Sequence, residues 1–281
     1  MPSTCSPRLP AVYINHGGGP LPLLGEQPAV ASSLSSYART LPSTPKAVLV
    51  VTAHWQTDAT AVSDAPSPPL LFDYSGFPAQ TYTYTYPAPG SPALARRACE
   101  LLRAAGLPCS ADSRRGWDHG VFVPMMLLFP AADVPVVQMS LTSNQDAATH
   151  LAVGAALAPL REEGVLIVGS GASFHNFKYF FARDEKTREV GVAHSRAFDE
   201  WLTATMTDPS LSADERRSRL AKWREAPSAA ECHPLGAAEH FLPALVVAGA
   251  GGDVPATKLP RVDAPQSKVD HGLQISQFEF R

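Results

Sequence analysis

The sequence predicts an α/β fold: a single domain with a central, mainly parallel or mixed sheet flanked by helices. Two observations carry this. Short apolar runs at 11–15, 47–53, 134–141 and 165–169 read as strands buried on both faces. Helix-like segments separate them, and strands alternating with helices place a mainly parallel sheet between helical layers. A third observation concerns the ends of the runs. "AVYINHGGGP" passes from apolar residues to His16 and three glycines, "VLVVTAHWQT" to His54, and "VLIVGSGASFHNF" through a glycine-containing turn to His175. Ligands in such folds gather at the carboxyl ends of strands, so a metal site is expected there.

The helices follow from period and punctuation. "SPALARRACELLRAAG" sets Leu94, Ala98, Leu101 and Leu102 at helical spacing, with Ser91 as a cap and Gly106 as a stop. "AATHLAVGAALAPLREEG" reads the same way and ends at Gly164, and "HSRAFDEWLTATM" and "FLPALVVAGAGG" are two more. The mixed-charge runs "DEKTREV" and "DERRSRL" read as solvated helix surface. Segment 63–92 differs, being rich in proline, serine and tyrosine. Its "TYTYTY" alternates with period two, which predicts Tyr82, Tyr84 and Tyr86 on one face of an edge strand, as sheet cover or as an aromatic wall over a pocket.

With 281 residues, 45% hydrophobic and 17% charged, the chain can bury a substantial core, and one domain over 1–281 is expected, with 1–10 as a flexible N-terminus. A net charge of −3 without basic clusters argues against a nucleic-acid partner. No apolar run approaches the ~20 residues that span a bilayer, and the N-terminus lacks a signal-peptide core, so no membrane partner and a cytoplasmic location are expected. Cys5, Cys99, Cys109 and Cys232 show no CxxC spacing, and free thiols in a reducing compartment are the reading.

Neutral imidazole is the commonest protein metal ligand. Besides His16, His54 and His175, His240 stands at the start of the apolar segment in "AAEHFLPALVVAGA". Glycines beside His16 and before His175 let backbone approach a ligand and tolerate positive φ. His119, in "RRGWDHGVFVPMMLLFP", is read either as part of a turn or as a group facing an anionic substrate. His233 in "ECHPLG" is a runner-up ligand in a loop; His150, His194 and His271 read as surface residues. A phosphate loop is disfavoured, because neither "HGGGP" nor "GSGAS" supplies the lysine or the dinucleotide spacing. An esterase is disfavoured because "GSGAS" does not match G-x-S-x-G.

Six blocks in order, "INHGGGP", "VLVVTAHWQT", "FPAQTYTYTYPAPGSPALA", "WDHGVFVPMMLLFPAADVPVVQMSL", "VLIVGSGASFHNF" and "AEHFLPALVVAGA", resemble the DOPA-dioxygenase-like class III extradiol ring-cleaving dioxygenases, the superfamily of protocatechuate 4,5-dioxygenase. The resemblance implies an enzyme that opens a catechol ring with dioxygen at non-haem Fe(II); Zn(II), which sits well among histidines, is expected as an adventitious occupant of the purified protein. It implies small-molecule catechol and dioxygen as partners and a monomer or small homo-oligomer. By motif, His16 and His54 match the two metal-binding histidines. His175 matches a residue that is a ligand in some members and the acid–base group in others. His240 matches the last block, near the third ligand, and His119 the D-H-G block lining the substrate pocket.

The chain departs from the pattern in carrying Gly18, Gly19 and Pro20 where many bacterial members have Ser-Pro after the first His-Gly. Glu239 and His240 compete for the third ligand position. Successive helical residues lie about 100° apart, which predicts that only one of them faces the ion, and the DOPA-type block favours His240. A metal-binding relative without oxygenase activity and a zinc hydrolase are the rival readings. A DOPA-type substrate, with its charged tail, is expected to meet the tyrosines and His119.

Overall fold

Why the apolar runs become central strands is visible in their alternation. In the strand Ala47–Thr57, Val48 and Val50 pack into one apolar cluster while Ala47, Leu49 and Val51 pack into another on the opposite face. A strand buried on both faces must lie inside a sheet covered by two layers. In a computed structural model that describes residues 7–260 and 272–281, eight strands form one mixed sheet. They are β1 (Ala11–Asn15), β2 (Ala47–Thr57), β3 (Thr60–Ser63), β4 (Cys109–Asp112), β5 (Val136–Thr142), β6 (Val165–Gly171), β7 (Thr257–Lys258) and β8 (Phe278–Phe280). Their spatial order is β4-β3-β5-β2-β6-β1-β8-β7.

The four strands at the centre, β5, β2, β6 and β1, are mutually parallel. Their carboxyl ends therefore lie along one edge. β3 runs antiparallel to β5, and β8 pairs antiparallel with β1.

One face is covered by α1 (Pro28–Tyr37) and α3 (His119–Leu128), the other by α2 (Pro92–Ala104), α4 (Ala147–Leu157) and α9 (Leu242–Gly251). α9 is buried along its whole length, as a helix apolar on all sides must be. Four more helices lie further along the chain: α5 (Phe177–Phe180), α6 (Glu185–Thr207), α7 (Ala213–Ala221) and α8 (Ala229–Cys232). Both charged runs expected on helix surface lie on helices, "DEKTREV" at the start of α6, capped by Asp184, and "DERRSRL" in α7, started by a capping box between Ser212 and Glu215.

A fully buried arginine closes the fold. Arg161 donates from Nε to Leu9 O (2.8 Å), from Nη1 to Ala250 O (2.8 Å) and Gly251 O (3.2 Å), and from Nη2 to Phe280 O (2.7 Å). Of the N-terminus expected to be flexible, residues 1–6 lie outside the described region. Leu9 is ordered, its N–H donating to Arg161 O (2.9 Å) and its side chain fully buried.

Several expectations are corrected. "TYTYTY" forms no strand: Tyr82 closes a 3-10 turn over Ala79–Tyr82, although burial still alternates along the segment, with Tyr82 and Tyr84 half-buried, Tyr86 buried and Thr83 and Thr85 exposed. Tyr86 turns into the core, its hydroxyl donating to Phe129 O (3.0 Å) and its ring against Trp117, whereas Tyr82 joins Phe72 and Tyr74. Hydrogen bonds from Thr81 to Pro78 O and from Tyr74 Oη to Thr81 O (2.6 Å) outcompete the strand period.

Cys99 and Cys109 are joined by a disulfide, because α2 packs against β4 and brings their Cα atoms to 5.2 Å; Cys232 is free and buried, and Cys5 lies outside the described residues. His150 is buried, not superficial: its Nδ1–H donates to Asp146 O (2.6 Å) and its Nε2 accepts the Thr142 N–H (3.2 Å). His194 is half-buried against Ser228 Oγ (2.9 Å), and His271 lies outside the described residues. No described helix is long and apolar enough to cross a membrane.

Candidate metal centre

His16 follows the last residue of β1 and is almost fully buried. Gly17 after it has φ +81, a conformation glycine adopts without cost. The His16 Nδ1 lies 2.9 Å from Ser170 Oγ, at the end of β6, and the Ser170 hydroxyl donates a short hydrogen bond to Gly120 O. A hydroxyl has one proton. Ser170 therefore accepts from His16 Nδ1–H, and His16 presents Nε2 as a lone pair.

His54 lies within β2, not beyond its end as the sequence suggests. The β2–β5 register shifts between Val51 and Gln56, and pairing with β6 ends at Thr52. That irregularity turns His54 toward His16, with the two Nε2 atoms 3.1 Å apart. Two nitrogens each ~2.0–2.1 Å from one ion at a right angle would be separated by about 3 Å.

His119, the first residue of α3, completes a group whose ligand nitrogens all lie within 4.8 Å of one another. Its backbone N–H and its Nδ1–H both donate to Asp73 Oδ1 (2.9 Å each), so Nε2 is the ring nitrogen left outside this contact.

The second group is His175, Glu239 and His240, whose ligand atoms again lie within 4.8 Å of one another. His175 follows β6, its N–H bonded to Cys232 O (3.0 Å), and its ring stacks on His240 at 3.3 Å between centroids. Glu239 and His240 sit in the turn before α9, not in helix, so the helical-angle argument for separating them does not apply. Glu239 Oε1 accepts from His240 Nδ1–H (3.0 Å), which leaves the Nε2 of His240 free. The two groups abut, the His240 ring being 4.9 Å from that of His54 and 5.3 Å from that of His16.

Burial sets the charge state. Desolvation, reinforced by neighbouring imidazoles, holds His16 and His240 well below the ordinary histidine value, brings His54 to about 3 and His175 to about 4. All four are neutral at neutral pH, the form that ligates metals. Burial would raise Asp73, but its hydrogen bonds to His119 and the adjacent imidazoles outweigh that and lower it; burial raises Glu239. This donor set fits a metal ion: facing imidazole lone pairs, with outer nitrogens donating to a hydroxyl or a carboxylate, form the usual outer shell of a ligating histidine.

The structure thus gathers His16, His54, His119, His175 and His240 at one strand edge. His233 is elsewhere, in a cage of Phe198, Trp223 and Phe241 with its Nε2 bonded to Ser173 O (3.0 Å). Sequence reasoning missed Asp73, Ser170 and Thr52. The sole signal for Asp73 was its place in the aromatic-rich covering segment, whose Tyr74 ring stands 5.9 Å from His119 and packs against Phe77.

An α/β sheet carrying five imidazoles and two carboxylates at its carboxyl edge defines a protein with a candidate metal centre. Residues 5–273 match the family model described as the catalytic LigB subunit of aromatic ring-opening dioxygenase. The chain belongs to that family. It is 41% identical over 254 residues to Dioxygenase tasH of Hapsidospora irregularis, covering 86% of this chain and 78% of that one. It is 37% identical to 4,5-DOPA dioxygenase extradiol of Beta vulgaris (86% of each chain). It is 36% identical to the protein of that name from Escherichia coli K12 (90% and 89%). The crystal structure of an uncharacterized protein from Escherichia coli K12 superposes with a TM-score of 0.74 at 30% identity, covering 98% of this chain and all of that one.

Proposed function

We propose that the protein is a non-haem Fe(II) extradiol dioxygenase that opens the ring of a catechol bearing a carboxylate side chain, DOPA first, with dioxygen. The observation that carries this is the convergence of His16, His54 and His240 at the strand edge as neutral imidazoles. The family and the names of the relatives support the reaction class. His16, His54 and His240 hold the ion, and Glu239 orients His240 through its Nδ1–H. Ferrous iron in such a site supplies a Lewis acid with open positions for catechol oxygens and dioxygen.

The remaining residues move protons and place the substrate. His175, neutral and partly exposed beside His240, takes a proton from a substrate hydroxyl and returns one to the opened product. His119, its ring fixed by Asp73, turns its Nε2 toward the substrate side chain. Tyr74 and Phe77 cover the ring from the loop side.

Metal analysis with an oxygen-electrode screen of DOPA, protocatechuate, gallate and caffeate under ferrous iron tests the reading. Oxygen uptake with DOPA, and a yellow product as the semialdehyde cyclises onto its own amine, is the expected result. The absence of uptake with every catechol would leave a binding relative. Activity with zinc alone and no oxygen demand would leave a hydrolase, the reading that an all-imidazole set also suits. Carboxylate recognition is tested separately: plain catechol turning over as well as DOPA, with the ratio unmoved by His119→Ala, would remove it.

A further inference from the structure

The irregularity that aims His54 leaves its backbone outside both neighbouring ladders: β2 pairs with β6 as far as Thr52 and resumes with β5 at Gln56. A buried peptide group without a partner is costly, so the groups that bond to His54 decide whether this conformation persists. Its N–H donates to Thr52 Oγ1 (3.2 Å), and its carbonyl accepts from Arg115 Nη2 (3.0 Å). Both of these partners lead to one carboxylate. Thr52 Oγ1–H donates to Asp118 Oδ1 (2.8 Å), and Arg115 Nη2 donates to Asp118 Oδ2 (3.1 Å).

Asp118 is fully buried and is held in turn by Gln138, whose Nε2 donates to Oδ2 (3.0 Å) and whose Oε1 accepts the Asp118 N–H (3.3 Å). Gly120 allows the approach, since a Cβ there would stand 2.8 Å from Thr52 Oγ1 and 2.9 Å from His54 Cδ2. The Gly120 carbonyl is also the acceptor at the end of the His16–Ser170 chain.

From this geometry we infer that Asp118, acting through Thr52 and Arg115, is the positioning residue that sets His54, and that the segment Asp118–Gly120 fixes His54 and His16 relative to each other. The inference rests on the proposed role of His54 as a metal ligand. A carboxylate suits the task because it accepts from both donors at once, and burial removes the water that would compete for them.

The test is a titration of the metal-free protein with Co(II), followed by absorbance, alongside thermal unfolding. Thr52→Val removes the hydroxyl with little change of shape and is expected to weaken Co(II) binding ~10–100-fold, the usual cost of losing an outer-shell partner. Thr52→Ser keeps the hydroxyl and is expected to bind like the wild type. Asp118→Asn is expected to weaken binding as well, and the Thr52→Val/Asp118→Asn pair to cost clearly less than the product of the two single effects, because both act along one path. A lowered unfolding temperature in Thr52→Val with unchanged Co(II) affinity, or equal weakening in Thr52→Ser, would overturn the proposal while leaving His54 a ligand. Retention of Co(II) affinity in His54→Ala would overturn the ligand reading and this proposal with it.

Discussion

The two halves of the site are tied down differently. In the half built from β1, β2 and α3, His16 is wired through Ser170 to Gly120 O and His119 to Asp73, and His16 and His119 are almost fully buried. In the half that follows β6 and precedes α9, His240 is wired to Glu239. His175 has a stacking contact with His240, and its Nδ1 stays 3.7 Å from Glu239 Oε1, with 17% of its side chain exposed. An imidazole that must keep a lone pair aimed needs its other nitrogen held. One that must gain and lose a proton is better left with a free edge toward substrate or water. The contrast supports His16 and His240 as holders of the ion and His175 as the mover of protons; His54, whose Nδ1 stands 3.8 Å from Asp73 Oδ2, is held instead through its backbone, by Thr52 and Arg115.

Substitution can break that contrast. His16→Ala or His54→Ala is expected to abolish oxygen uptake and to lower bound metal by more than the ~10–100-fold typical of outer-shell losses. Metal content of the purified variants checks this, and full occupancy in both would end the assignment. His175→Gln is expected to lower turnover ~10²–10⁴-fold while most of the metal stays. Metal loss as deep as in His54→Ala would make His175 a ligand and erase the distinction between the halves. Glu239→Gln sharpens the comparison within the second half. As a buttress of His240 its change should weaken metal binding ~10–100-fold, whereas a true ligand would match His54→Ala.

The smallest expected effect concerns acid. His16, His54, His175, His240, His150 and His233 all lie below the ordinary value of 6.5, in each case chiefly through burial. Below pH 6.5 the unfolded chain takes up protons that the folded, metal-free protein refuses, so stability falls as pH falls. Asp118, raised to about 6 by burial and the nearby Asp73, and Glu239, also raised, act with the opposite sign in the acidic range. They are outnumbered. The unfolding temperature of the metal-free protein is expected to drop steadily from pH 7 to about 4, and His175→Gln to flatten that slope. A flat profile over this range would contradict the burial of neutral imidazoles.

How much of this was legible follows from where the determining contacts lie. The central strands declared themselves, because burial on both faces writes a continuous apolar run; β2 proved longer than its run, because Gln56 and Thr57 re-enter the β5 ladder after the irregularity. β3 and β4, four residues each with Thr60, Ser63, Ser110 and Asp112 among them, carry no such run. β8 is three residues whose partner β1 is remote. The disulfide depends on a helix-to-strand packing that spacing alone does not encode. At the site, the histidines stood out by type and by position near strand ends. Asp73 and Ser170 did not, because a loop aspartate and a strand serine gain meaning through what they face. Asp118 stands beside His119 in the D-H-G block, yet its partners Thr52 and Arg115 lie on different segments and are joined only in three dimensions.

The pairing of β1 with β8, locked by Arg161, has a consequence for synthesis. A ribosome makes β1, with His16 at its tip, before β8, and the outer edge of that strand has no partner until residues around Phe278–Phe280 emerge. The bond from Asn15 N–H to Gln277 Oε1 spans 262 positions of chain. Until it can form, the nascent chain carries an open hydrogen-bonding edge of the kind that recruits stray strands, and the arginine that gathers Leu9, Ala250 and Phe280 completes its set of acceptors only then. The strand that leads to His16 is thus sealed on its outer side by a segment 262 positions further along the chain.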